Sequence, residues 1–169
     1  MSAGFMMQAV LRSSSEEETL LIGERLGGRL AGGDILALAG RLGAGKTVLA
    51  KGIARGLGIR EEDVVSPTYM LIHEISGAVK LFHVDLYRVT DMDDLENAGF
   101  YDVFDQDAVT VIEWADRFPG AVSEPYLMIR LQCVDENIRE IFIEPHGERF
   151  RRLLNLLVKE IPSHLIYRT

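Results

Sequence analysis

Apolar positions along the chain change period several times, and each change marks a predicted element. Ile35-Leu36-Ala37-Leu38-Ala39 is a continuous apolar run of strand length, whereas Leu49, Ile53 and Leu57 recur at helical spacing within Thr47 to Leu57. Upstream, Ser13-Ser14-Ser15 followed by Glu16-Glu17-Glu18 offers a choice of capping boxes. The helix they open is expected to run to about Leu30, with Leu20, Leu21, Leu26 and Leu30 as its stripe and Gly32-Gly33 as its stop. Phe5 to Leu11 reads as a first strand, and Tyr69 to Ile75 with Val79 to Asp85, joined through Gly77, as an antiparallel hairpin. Met92 to Ala98 predicts a short acidic helix, and Ala108 to Ile112 a buried strand. Tyr126 to Val134 and Arg139 to Glu144 predict two more strands, and Glu148 to Lys159 a final helix. A strand–loop–helix start followed by hairpins predicts an α/β sandwich with parallel core strands extended by antiparallel ones.

The 169 residues fit a single domain, 1–169, and the 47% hydrophobic share is that of an ordinary globular chain. No apolar run approaches the ~20 residues that cross a bilayer, so no membrane attachment is expected. The segment from Phe5 to Leu11 is too short and too polar for a signal peptide. Cys133 is the only cysteine, which excludes a disulfide framework and a cysteine-based zinc site and fits a cytoplasmic setting. A net charge of −8 argues against strong direct nucleic-acid binding. Arg149, Arg151 and Arg152 are expected as the solvated face of the last helix.

Chemistry concentrates where the apolar strand ends. Gly40-x-x-x-x-Gly45-Lys46-Thr47 has the spacing of a phosphate-binding loop, whose backbone N–H groups turn toward phosphate oxygens. The strand before it and the helix after it complete the pattern, because the helix N-terminus adds its positive end to the anion site. The fold expectation becomes an α/β, P-loop NTPase-like sandwich. Lys46 is expected to reach the β- and γ-phosphates and Thr47 to hold Mg²⁺. Gly40, Arg41, Leu42, Gly43, Ala44, Gly45, Lys46, Thr47 and Val48 form the expected nucleotide-binding stretch.

Such a loop needs acidic help for its metal ion, normally at the C-terminal end of a nearby strand. Asp85 ends Leu81-Phe82-His83-Val84 and Glu113 ends Val109-Thr110-Val111-Ile112. Asp85 would orient Mg²⁺ or its water ligands, and Glu113 would take a second metal-shell position or align an attacking water. Either acid could instead be a solvated strand end. Trp114 either fills core volume or lies beside the nucleotide or a partner. Arg88 either neutralises phosphate or pairs with Asp85. Ser66-Pro67-Thr68 is a plain turn or a segment whose hydroxyls, Thr68 among them, sense the γ-phosphate. His83 alternates with apolar neighbours and reads as a core residue rather than a metal ligand.

Four stretches in this order, Gly40 to Thr47, Ser66-Pro67-Thr68-Tyr69, His83-Val84-Asp85-Leu86-Tyr87-Arg88 and Ile112-Glu113-Trp114, give the chain a specific resemblance to the TsaE family, also called YjeE. The resemblance spans about Glu16 to Gly147. It implies a small ATPase required for threonylcarbamoyladenosine on tRNA, with ATP at the loop, Mg²⁺ served by Thr47 and Asp85, and Glu113 and Trp114 needed for turnover. It also implies docking onto a heterodimer of TsaD and TsaB that performs the carbamoyl transfer. Arg41 stands where the family usually has Asp, a difference that bears on fine tuning of the loop.

Three functions share such a loop: an ATPase that drives a partner's cycle, a small-molecule kinase, and a nucleotide-gated adaptor without essential hydrolysis. No arginine-bearing lid segment of the kind a kinase uses is evident, and no Asn-Lys-x-Asp guanine-reading sequence occurs.

Overall fold

The computed structural model describes residues 7–65 and 71–169. They form one eight-stranded sheet in the order β3-β4-β5-β2-β6-β7-β1-β8. The strands are β1 Ala9–Ser13, β2 Ile35–Ala39, β3 Ile72–Ile75, β4 Lys80–Asp85, β5 Ala108–Glu113, β6 Tyr126–Cys133, β7 Arg139–His146 and β8 Ile166–Arg168. The helices are α1 Glu16–Gly27, α2 Lys46–Gly56, α3 Met92–Asn97 and α4 Glu148–Glu160. β4, β5, β2 and β6 run parallel and β3, β7, β1 and β8 extend the sheet antiparallel; the parallel core with antiparallel strands beside it is what the sequence pattern predicts, β8 excepted. No helix of the described residues is long and apolar enough to cross a membrane.

Both sheet faces are covered near β2 and β5, which is why these strands read as unbroken apolar runs. Leu36 and Leu38 of β2 and Val109 and Val111 of β5 join a core with Ile22 and Leu26 of α1, Leu49 and Ile53 of α2, and Phe150, Leu153 and Leu157 of α4. Ala37, Val84 and Ile112 point to the other face, against Leu95, Phe100 and Val103. α1 and α2 meet backbone to backbone. A Cβ on Gly27 would lie 2.1 Å from the Ile53 carbonyl oxygen, and one on Gly52 would lie 2.4 Å from that of Leu20. Only glycine permits this approach.

Local choices at the ends of α1 are sharper than the pattern predicts. Ser15 is the N-cap and accepts from the Glu18 N–H, while the Glu18 carboxylate accepts from both the N–H and the hydroxyl of Ser14. Ser13 is instead buried, with its hydroxyl 2.8 Å from that of Thr19. The helix stops at Gly27, short of the expected Leu30: beyond Gly28 the pattern tightens, and Arg29 and Leu30 donate to the carbonyls three residues back, of Leu26 and Gly27. Leu30 still enters the core, but from the following loop. β8 was not evident in the pattern: three residues beyond the last helix pair antiparallel with β1.

Arg149 is exposed on α4, as expected, but it is also tied to the strand layer. It reaches from α4 to Asp34, donating at 2.7 Å to a buried carboxylate, and also to the Arg29 carbonyl. A carboxylate at the base of β2 that is this far out of water requires a cation. Arg152 pairs with Glu148 one turn back on its own helix, as a surface arginine does.

Candidate functional site

The loop leaves the C-terminal end of β2, between β5 and β6, at the point where neighbouring strands diverge in chain order. Gly40 adopts φ 145°, and a Cβ there would stand 2.6 Å from the Leu131 carbonyl oxygen. Gly45 adopts φ 103° as the N-cap of α2. Both positions exclude a side chain. Among the described residues no side chain caps α2, so its first N–H groups stay available to an anion.

Lys46 opens α2 and folds back under the loop. Its ammonium donates to the carbonyls of Gly40 at 2.7 Å and Arg41 at 2.9 Å, and lies 3.8 Å from the centre of the Trp114 ring. It is only 4% exposed and, among the described residues, has no carboxylate in direct ion pairing. Burial lowers its pKa, an effect opposed by the charges of Glu113, Asp85 and Asp116. A desolvated cation beside free amides is a site that favours an incoming polyanion.

Parallel register brings the two predicted acids together. Asp85 and Glu113 are paired positions of β4 and β5, so their side chains leave the same sheet edge on the same face. The Thr47 hydroxyl donates to the Glu113 carboxylate, 3.1 Å from Oε1 and 3.3 Å from Oε2. Glu113 is 3% exposed, and Asp85 accepts from the Tyr87 N–H at 2.9 Å. Burial raises the Asp85 pKa and nearby Glu113 adds to the rise, against the Tyr87 N–H, His83 and Lys46. Thr47, Asp85 and Glu113 offer only oxygen donors, the chemistry a hard divalent cation takes, and a cation would relieve the crowding of the two carboxylates. These residues fit Mg²⁺. Among the described residues no group of three or more His, Cys, Asp or Glu could hold a metal unaided.

Trp114 is half-buried, packed against the core on the Val84 and Ile112 face while its ring lies beside Lys46. Its φ of 62° makes it the one described non-glycine residue in the left-handed region, a conformation costing about 1–3 kcal/mol. Its ring lies 5.0 Å from that of Tyr87. Arg117 donates to the carbonyls of Leu86 and Tyr87, tying the end of β4 to the turn after β5.

A cleft of about 460 Å³ gathers Leu42, Gly43, Gly45, Lys46, Thr47, Val48, Asp85, Glu113 and Trp114. Its far wall is the start of α1, Ser15, Glu16 and Thr19, with Asn137 and Arg139 of the β6–β7 hairpin. Gly40, Arg41 and Ala44 instead line a hollow of about 890 Å³ across the loop, which holds neither Lys46 nor the strand-end acids. Arg88 is exposed and outside the cleft lining. Thr68, with the rest of Ser66-Pro67-Thr68, lies outside the described residues.

Sequence reasoning missed Tyr87, Arg117 and the far wall, and it took His83 as a core residue only. His83 is fully buried, yet its Nε2 lies 2.8 Å from Glu113 Oε1. A signal existed: Leu81, His83 and Asp85 alternate onto one face of β4.

A glycine loop that joins a parallel strand to a helix at the sheet's switch point, with lysine and threonine opening the helix, defines an α/β protein of the phosphate-loop class. Comparison narrows the class. Residues 13–141 match the family described as "Threonylcarbamoyl adenosine biosynthesis protein TsaE", and the chain belongs to this family. The tRNA threonylcarbamoyladenosine biosynthesis protein TsaE of Bacillus subtilis is 34% identical over 160 residues, covering 94% of this chain and 97% of that protein. Its counterpart in Mycobacterium leprae is 42% identical over 127 residues, covering 70% and 78%. The crystal structure of Bacillus subtilis YdiB superposes with a TM-score of 0.73 at 31% identity, covering 90% of this chain and 95% of that one. TsaE proteins serve the formation of threonylcarbamoyladenosine on tRNA.

Proposed function

We propose that the protein binds ATP with Mg²⁺ in the 460 Å³ cleft and hydrolyses it to drive the cycle of a TsaD–TsaB-type partner complex in tRNA threonylcarbamoyladenosine formation. One observation carries this reading: the Thr47 hydroxyl stands 3.1 Å from the Glu113 carboxylate, within the cleft that holds buried Lys46 and half-buried Asp85. Loop amides and Lys46 would grip the phosphates. Thr47 and Asp85 would hold the ion, whose chemistry is to neutralise charge on the transferred phosphoryl group. Glu113 would complete the metal surroundings or orient the attacking water. Trp114 would cover Lys46 until phosphate replaces the ring and the two carbonyls. Binding of the nucleotide and partner within the cytoplasm fits a chain whose charge of −8 leaves tRNA to the partner.

The test is phosphate release with Mg-ATP, alone and with the TsaD–TsaB pair, beside co-purification of the partners with ATP, ADP or neither. Slow release alone and faster release with partners is the expected result. Transfer of labelled phosphate to a small acceptor would make the protein a kinase. Partner function that survives Asp85→Ala and Glu113→Ala but not Lys46→Ala would make it a binding-gated adaptor.

A further inference from the structure

Glu113 is held from two sides, and only one of its partners belongs to the loop. Its Oε1 takes the His83 Nε2 contact at 2.8 Å and the Thr47 hydroxyl at 3.1 Å, while Oε2 is 3.3 Å from that same hydroxyl. Thr47 has a single proton to give, and a hydroxyl recruited to a metal ion turns its lone pair there. The histidine contact is the shorter one and does not depend on the loop. Among the described residues the buried His83 Nδ1 has no hydrogen-bond partner, so the network assigns the ring proton to Nε2, where it is donated to Glu113. A fully buried imidazole whose one hydrogen bond among the described residues goes to a 3%-exposed carboxylate has more than a packing role.

We infer that His83 is a positioning residue: its Nε2–H fixes the Glu113 carboxylate over Thr47 and keeps it from swinging toward the Lys46 ammonium. The inference rests on the ATPase reading for its consequence in turnover, but its geometry stands apart from that reading. Glu113 already feels the Lys46 charge, and among the described residues Lys46 has no carboxylate partner. Removing the histidine donor leaves a buried carboxylate short of one bond, and Lys46 is a cation with which it already interacts. A Glu113–Lys46 pair would occupy the amine that triphosphate needs and vacate the place above Thr47. β4 supplies the device through alternation, since His83 sits two residues before Asp85 on the same face and is paired in register with Val111, two residues before Glu113.

The experiment compares His83→Leu, His83→Gln and His83→Asn in the full-length protein with the partner complex, using Mg-ATP. A Gln amide reaches about as far as imidazole Nε2, whereas an Asn amide stops near Nδ1, so the pair differs in reach at similar polarity. Expected are a fall in kcat of roughly 10-fold or more for Leu and Asn, with KM within about 3-fold, and recovery of most of kcat by Gln. His83→Leu combined with Glu113→Gln should be no slower than Glu113→Gln alone. Equal kcat for Leu, Asn and wild type, or equal losses for Gln and Leu that track melting temperature, would overturn the inference. Crystal structures of the Leu and Gln variants give a readout free of activity: Glu113 turned from Thr47 in Leu and retained in Gln supports it, and an unmoved Glu113 in Leu sinks it. If wild type releases no phosphate with any partner, the ATPase reading fails, and those two structures alone decide whether His83 positions Glu113.

Discussion

Gly27→Ala tests whether backbone contact between α1 and α2 holds the loop's helix in place. The added carbon would stand 2.1 Å from the Ile53 carbonyl oxygen and 2.9 Å from its carbon. Ordinary contact begins near about 3.5 Å, so the shortfall is roughly 1.4 Å. No rotamer can absorb it, because the obstruction is main chain. The helices must part, and the seam has no slack elsewhere: a Cβ on Gly23 would lie 2.6 Å from the Leu49 oxygen and one on Gly56 would lie 2.3 Å from that of Glu24. Separation loosens Ile22, Leu26, Leu49 and Ile53, all at 0% exposure. Overpacking of this kind costs about 3 kcal/mol, and the better helix propensity of alanine returns about 1. A net loss near 2 kcal/mol lowers Tm by about 4–8 °C in a domain of this size. The neighbouring Gly28→Ala is the control. Gly28 sits at φ −63°, and its nearest obstruction to a Cβ is 3.5 Å away, so alanine there should be neutral or stabilising by up to about 1 kcal/mol. Thermal melts followed by circular dichroism separate the two. A Gly27→Ala protein that melts at or above wild type, or in step with Gly28→Ala, refutes the argument from backbone contact.

Other expectations concern the cleft. Lys46→Ala should weaken ATP binding by about 2–5 kcal/mol, since a desolvated phosphate loses its counterion; calorimetry giving unchanged affinity contradicts it. Asp85 titrates higher in the folded protein than in the unfolded chain, so its contribution to stability is full below the unfolded carboxyl range and is lost as pH rises through the folded value. Asp85→Asn should therefore raise Tm at neutral pH in metal-free buffer, with a gain that shrinks as the solution is acidified; a gain that grows in acid has the wrong sign. Trp114 is the only tryptophan and lies 3.8 Å from Lys46, so its emission should change on adding Mg-ATP and stay constant in Lys46→Ala. A wild-type titration with flat emission would mean that Lys46 and the ring stay together when nucleotide binds.

Some of this site is legible from the chain and some is not, and the dividing line is whether a signal is local. The loop announces itself because strand, glycines, lysine and helix are contiguous, and β2 runs over Ile35–Ala39 as the apolar run predicts. Asp85 and Glu113 are legible as strand ends, but their meeting depends on the parallel register of β4 with β5, which no pattern within either strand encodes. His83 shows how a correct burial assignment can hide a function. Alternation places it in the core, and the same alternation places it beside Asp85, yet the bond to Glu113 crosses thirty positions of sequence. Arg149 is exposed on its helix face as the pattern implies, yet the pattern gives no sign of its bond to a buried acid 115 positions away. β8 and the wall formed by Ser15, Thr19, Asn137 and Arg139 arise only once β1 has been placed between β7 and β8. The order of strands in the sheet, rather than any motif, therefore decides what faces the loop. A substitution at the α1–α2 seam bears on the same loop for a separate reason, because the helix held there begins at Lys46.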